Sequence, residues 1–351
     1  MKRIEILLAI ALCILTFCNC EKNSAPNGNE QGNLPEQEMP EPEIPEEEVW
    51  TEGYPDGVIV ESFEDDMGEG KICKGIYAII DFSANSNLKF NVVKVTGKKT
   101  PTDIYSGLDR KKGKACIAIN GGYFAGSVSV SLAKVNNWVE THNIMAINWP
   151  SDEKPQCTVY PVRSALGMHE DGRFDVQWVY CVNPGAREYY SFPSALGNDE
   201  KTQTFMPAGP TAETEGGTLW NPTDAIGGGP RLVHDGKDVA VTNYWAEVFD
   251  AGGTAGLSRQ PRTAIGVTAD NRLVLIVCDG RDMNGSCGMN LSELAQKMIS
   301  LGVTDGMNLD GGGSSVFVGK DCEILNRPSD SGPDGDIVQR RVPTAIVISA
   351  L

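Results

Sequence analysis

Histidine is scarce in this chain. There are three in 351 residues, His142, His169 and His234, and none stands at a metal-ligand spacing from another histidine, a cysteine or a carboxylate. A zinc signature is therefore absent. A serine-nucleophile elbow is missing too, as is a spaced glycine fingerprint between a strand and a helix, which removes the hydrolase-elbow and dinucleotide-fold classes. The stretch from Asp310 to Ser315 contains no lysine and runs into Val316, Phe317 and Val318, a strand-like run, so it is not a nucleotide phosphate loop. The apolar run from Ile6 to Phe17, behind Lys2 and Arg3, is too short to span a bilayer and suits the core of a signal peptide.

These features predict a lipoprotein signal peptide over residues 1–20, with lipid on Cys20 or Cys18, and membrane contact through that anchor only. Cleavage by an ordinary signal peptidase is the alternative; either route places the protein outside the cytosol, at the cell envelope. Aliphatic side chains are nearly missing from residues 21–56, which are rich in Pro, Glu, Asn and Gly and carry eleven acidic residues against Lys22 alone. Such a stretch buries too little surface to offset chain entropy and reads as a disordered acidic tether. The formal charge of −17 is concentrated there, leaving about −8 on residues 57–351. That balance excludes a nucleic-acid surface and makes any anion site a local constellation of arginines.

Residues 57–351 show no second linker and read as one domain. Seven of their residues are cysteines, an odd number, with Cys278 and Cys287 spaced to close a short loop. Strand-like runs dominate: Ala115 to Ile119, Arg173 to Val182, Arg272 to Cys278, Ser315 to Val318 and Val342 to Ile348. The clearest helix is Leu291 to Leu301, with Asn290 as N-cap, Glu293 completing a capping box and Gly302 beyond its end. The expected class is α+β, a sheet-rich mixed or antiparallel core with a few covering helices. An internal echo joins Arg163–Arg173 to Arg262–Arg272 without gaps. Both read as hairpins, turning at Asp171-Gly172 and Asp270-Asn271. Leu273 to Val277 is continuously apolar, as in a strand covered on both faces, so the second hairpin should be central.

Four glycine-rich junctions border apolar runs: Asn120-Gly-Gly-Tyr-Phe124, Gly227-Gly-Gly-Pro-Arg231, Asp279-Gly-Arg281 and Asn308-Leu-Asp-Gly-Gly-Gly-Ser-Ser315. Glycine lets backbone amides approach an anion, and a neighbouring Asp, Asn or Arg supplies the reactive group. Asp279 and Asp310 each end an apolar run, which puts carboxylates at a sheet edge where burial can tune them for nucleophile or acid/base work. Arg262 and Arg281 are the first candidates to clamp a phosphate, with Arg231, Arg341 and Arg163 behind them. Tyr123, Phe124, Tyr244 and Trp245 are candidates to stack on sugar rings. No cofactor is called for, and Asp and Asn near backbone carbonyls leave room for a structural calcium.

The ordered set INGGYF, GGGPRLV, PRTAIG, VCDGR, a helix, NLDGGGSSVFV and RRVPTAIVI resembles the phosphodiester glycosidase domain family over about Ala115 to Ile348. The resemblance implies hydrolysis of an α-linked sugar, N-acetylglucosamine-like, from a phosphodiester, with a phosphate monoester as leaving group. It places Asn120, Arg262, Asp279, Arg281, Asp310 and Gly311 in a shared cleft, with Gly312 and Ser314 of the same motif beside the substrate and Asn120, Asp279 and Asp310 as the catalytic set. The substrate class is then a sugar phosphodiester or phosphoglycan. Residues 127–160 and 183–223 carry none of these motifs and are expected to shape the pocket. Two other readings share the same residues: a non-catalytic surface glycan-binding lipoprotein, and a phosphodiesterase acting at phosphorus, for which the metal ligands are poorly represented.

Overall fold

The computed structural model describes residues 53–149, 157–250, 255–332 and 336–351. The expected signal peptide, its Cys18 and Cys20, and nearly all of the tether lie outside the described residues. Contact with the domain begins ahead of Gly57. Tyr54 packs against the core and its hydroxyl accepts from the Lys320 amide at 3.1 Å.

Alternating and continuous apolar runs build three large antiparallel sheets, beside three two-stranded ones among the described residues. The first has seven strands, in the order Val58–Asp66, Ile72–Ile80, Leu273–Cys278, Arg262–Thr268, Val303–Asn308, Arg231–His234 and Lys237–Asp238. The second also has seven: Thr218–Leu219, Glu188–Phe192, Phe174–Asn183, Arg163–Met168, Asp224–Gly227, Ala133–Val135 and Trp138–Thr141. The third has four: Phe317–Val318, Lys114–Asn120, Val342–Ala350 and Leu88–Lys99. The ladders of all three are antiparallel. Among the described residues the α-helices are three and short: α1 (Pro101–Ser106), α2 (Ala240–Ala246) and α3 (Leu291–Ser300). The sheet-rich antiparallel core with a few covering helices is as expected; the architecture is mostly β, so the α+β label fits it only loosely, the helices covering sheets without forming a layer of their own.

One core is shared by the three large sheets. Ile265, Leu273, Leu275, Val277 and Met307 from the first meet Leu166, Phe174, Val176 and Ile226 from the second and Ile117, Ile119, Ile346 and Ile348 from the third. The other face of the first sheet is covered by α3, whose Leu291, Leu294, Ala295 and Met298 pack with Val274, Ile276 and Cys278. Strand Leu273–Cys278 therefore feeds odd positions into one core and even positions into another, the reason its sequence shows no polar alternation. Asn290 caps α3 by accepting from Glu293 N at 2.9 Å, while the Glu293 carboxylate accepts from Asn290 N, the capping box read in the sequence.

Both echoed hairpins are present in the same register. Arg163 faces Val179 as Arg262 faces Cys278, and Met168 faces Phe174 as Val267 faces Leu273. The equivalence continues into the next strand: Ala165 faces Gly227 as Ala264 faces Asn308, and Met168 faces Asp224 as Val267 faces Asp305. One bond further, Gly228 N donates to Ser164 O and Leu309 N to Thr263 O. Each unit is thus three antiparallel strands followed by a glycine-rich loop. Their turns touch, because Asn271 accepts from Phe174 N at 2.8 Å and donates to Gly172 O at 3.1 Å. Gly172 and Asn271 hold φ of +80° and +64°, which a tight turn demands and which glycine and asparagine tolerate. Each hairpin is central in its own sheet, the second as expected.

Candidate active site

Strand ends converge at one edge. Asn120 closes its strand in the third sheet, Asp279 and Asp310 follow two strands of the first, and Arg262 opens the strand between them. The backbone then knots these ends together: Asp310 N donates to Gly121 O at 3.2 Å, Gly312 N to Pro261 O at 2.8 Å, and Leu309 N to Thr263 O at 2.8 Å. Gly312 has φ +62°, so the loop needs a glycine at its bend.

Asp310 sits half-buried at the start of that loop. Removal from water raises its carboxyl to about 6, against the opposing pull of the Ser314 hydroxyl, the Arg340 guanidinium and the Gly311 amide, which donates to Oδ1 at 3.0 Å. Such a group is mostly ionised at neutral pH yet able to exchange a proton there. Asp279 is only 2% exposed. Burial raises its pKa as well, opposed by Arg327 N at 2.8 Å and Asn326 Nδ2 at 3.1 Å, both donating to Oδ1. Asn326 also donates to Ser315 O and accepts from Phe317 N, so Asp279 holds the 326–327 segment against the glycine loop.

The remaining expected residues are placed as follows. Asn120 is fully buried; its amide donates to Asp310 O at 2.6 Å and its oxygen accepts from Thr263 Oγ1 at 2.8 Å. It grips the reactive loop by its backbone. Arg262 is 3% exposed and donates to the carbonyls of Met289, Ala255 and Ser258. Arg163, its counterpart, donates to the carbonyls of Glu247 and Val248 and stacks on Phe249 at 4.1 Å. Arg231 stands opposite Met307 in the ladder, but its guanidinium is ion-paired to Asp305 and stacked on Trp178 at 4.2 Å. These three guanidinium groups are committed to the protein. Arg341 is exposed and electrostatically coupled to Asp103 beside α1, whereas its neighbour Arg340 turns to the glycine loop.

Two arginines do line the loop. Arg281 is exposed, takes φ +58°, donates to Gln260 Oε1 at 3.0 Å, and places Nη2 3.0 Å from where a Gly312 Cβ would stand. Arg340 forms a two-pronged pair with Asp330 at 2.9 Å, and that pair fills the space beside Gly313. Arg327 follows Asn326 and has Nη1 buried without a hydrogen bond. Sequence reasoning missed Arg327, Arg340 and Asp330. The one available signal was the RR pair at 340–341, where adjacent strand-entry residues point to opposite sides. Unpartnered buried polar atoms gather here too: Ser315 Oγ, Asn308 Oδ1 and Thr344 Oγ1. Such groups cost free energy until something bonds them.

Of the aromatic candidates, Tyr244 is 2% exposed and bonded to Asp250, so its ring has no face to offer a sugar. Trp245 packs edge-on against it. Phe124 is half-buried beneath Lys98. Tyr123 donates to Gly229 O at 2.9 Å and accepts from Asn308 Nδ2 at 2.7 Å, bridging the glycine loops of the two units. All seven domain cysteines are free thiols. Among the described residues, the one grouping of possible metal ligands is His234, Asp235 and Asp305, with Arg231 already on Asp305.

Residues 113–349 match the family model described as phosphodiester glycosidase. The chain belongs to the phosphodiester glycosidase family. Over 123 residues it is 36% identical to the N-acetylglucosamine-1-phosphodiester alpha-N-acetylglucosaminidase of Bos taurus, a match covering 33% of this chain and 23% of the bovine protein. The zebrafish N-acetylglucosamine-1-phosphodiester alpha-N-acetylglucosaminidase catalytic domain, solved auto-inhibited by its pro-peptide, shares the fold at a TM-score of 0.57 and 18% identity, covering 84% of each chain. A hypothetical protein from Synechocystis shares it at 0.52 and 17%, over 84% of this chain and 62% of that one. Within the phosphodiester glycosidase domain, the echoed hairpins, both glycine loops and both carboxylates fall inside the matched span.

Proposed function

We propose that this phosphodiester glycosidase removes an α-linked, N-acetylglucosamine-like sugar from a phosphodiester and leaves a phosphate monoester. The observation that carries the reading is Asp310: a carboxyl raised to about 6 at the mouth of a glycine loop flanked by Arg281 and Arg340. In this scheme the bond from the anomeric carbon to the bridging oxygen breaks and the oxygen departs with phosphate, its charge met by Arg281 and Arg340. Phosphate leaves readily, so the sugar side carries the catalytic demand. Asp310, ionised, acts there as nucleophile or as base for water. Asp279 and Asn120 are positioning residues, one fixing the 326–327 segment and the other the Asp310 backbone. No cofactor enters the scheme.

Export with lipid on Cys20 or Cys18 belongs to the same proposal and rests on residues 1–20; radiolabelled palmitate incorporation lost in a Cys18/Cys20 double alanine variant is the expected result. The deciding assay is incubation with an α-N-acetylglucosamine 1-phosphodiester. Free sugar with intact phosphate monoester supports the reading. Release of sugar 1-phosphate means cleavage at phosphorus, and saturable binding without turnover means a glycan-capture protein; either outcome rejects it.

A further inference from the structure

The second sheet curls until its two edges meet. Tyr189, one strand in from the Thr218–Leu219 edge, bonds through its hydroxyl to His142 Nδ1 at 3.1 Å and Asn143 N at 3.2 Å, just past the opposite edge strand. At this seam lies a cavity of about 460 Å³, lined by Lys134, Asn137, Trp138, Arg187, Trp220 and Asn221 among others. None of these residues belongs to the Asp310 loop or its arginines.

Lys134 is 6% exposed. Among the described residues its ammonium makes one hydrogen bond, to Asn221 Oδ1 at 2.5 Å, and no salt bridge. Desolvation lowers its pKa and the nearby Asp224 only opposes this. A buried ammonium with spare donors facing a cavity is costly until an anion bonds it. A second cation stands at the rim: Arg187 takes φ +56° and holds its guanidinium 3.7 Å from the Trp138 ring centre. A non-glycine residue in that conformation costs on the order of 1 kcal/mol and persists where the surroundings require it. Trp138 and Leu219 are 54% and 57% exposed, large apolar surfaces at the cavity mouth. Glu188, also at the rim, is exposed and solvent-screened.

We propose that this seam is a second carbohydrate site, taking a sugar ring with one anionic substituent. The substituent meets Lys134 and Arg187, the apolar face of the ring lies on the exposed indole of Trp138 and on Leu219, and hydroxyls bond Asn137 and Asn221. Binding here requires no turnover and stands apart from the catalytic reading.

The test is calorimetric titration of the full chain with glucuronic acid, glucose 6-phosphate, glucose and inorganic phosphate. Saturable binding of an anionic sugar is expected, with glucose and phosphate each at least about tenfold weaker, and the tighter of the two anionic sugars identifies the substituent as carboxylate or phosphate. Trp138→Ala and Arg187→Ala should each lose about tenfold with unchanged Tm, since both side chains are exposed, and Asp310→Asn should leave the affinity intact. No saturable binding of either anionic sugar overturns the proposal. So does glucose or phosphate binding equally well, or affinity that falls in Asp310→Asn and survives Trp138→Ala.

Discussion

The two hairpin units share strands, register, turn geometry and a buried arginine, yet only one carries carboxylates at its loop. Where the second unit has Asp279 after its strand, the first has Tyr180; where the second has Asp310, two residues past the third strand, the first has Gly229. Gly229 has φ +112° and lies against Glu247, a fully buried carboxylate that accepts from Ser164 N, Ser164 Oγ, Trp178 Nε1 and Arg231 N. One unit spends its acidic group on internal bonds. The other leaves Asp310 half-open with orphaned hydroxyls around it. Shared backbone geometry thus supports two uses, and what separates them is whether the carboxylate's bonding capacity is saturated by protein.

The sharpest way to break this comparison is at the carboxylates themselves. Asp310→Asn should cost about a thousandfold or more in kcat on a sugar phosphodiester, whereas Tyr180→Phe, at the first unit's counterpart of Asp279, should stay within about threefold. Equal losses would mean the units do not divide their labour in this way. Next in size, Arg163→Met and Arg262→Met should each destabilise by about 3 kcal/mol in urea unfolding, because both leave several buried carbonyls unbonded. A strongly unequal pair would show that the units differ in their struts as well as in their loops.

The arginine pair also explains what the sequence could and could not reveal. Echoed residues 163–173 and 262–272 were legible as duplicated hairpins, because turn chemistry and strand pattern are local. Asp310 was legible too, standing between an apolar run and three glycines. The fate of Arg262 was not: whether a guanidinium faces a ligand or a cluster of carbonyls depends on where residues 255–258 and Met289 arrive, which no local pattern encodes. Arg327 and Arg340 were invisible for the converse reason, since their partners Asp279 and Asp330 reach them only through the fold.

Two smaller effects sharpen the contrast. Arg281→Ala should lower kcat/KM by about 10- to 100-fold with Tm unchanged, since the side chain is exposed and its bonds are peripheral. Stability against pH then tests Asp310 without substrate. Its folded-state pKa of about 6 lies above the unfolded value, so the folded chain binds more protons through the window between them and stability falls as pH rises from about 4 to about 6. Asp310→Asn removes that loss. Its stability relative to the parent should therefore climb by up to about 2 kcal/mol between pH 4 and pH 7, measured by urea unfolding.

By itself the sequence determined what is local: the strand runs, the capped helix α3, the repeated hairpins, the glycine bends and a carboxylate beside one of them. Those depend on side-chain period and on residues that tolerate positive φ, properties of a few consecutive positions. Tertiary structure alone decided the all-antiparallel, three-sheet arrangement, which arginines remain free to meet an anion, and which carboxylate is saturated and which left open. Each of these depends on partners brought together from distant parts of the chain, and the desolvation and bonding they impose exist only once the core has closed.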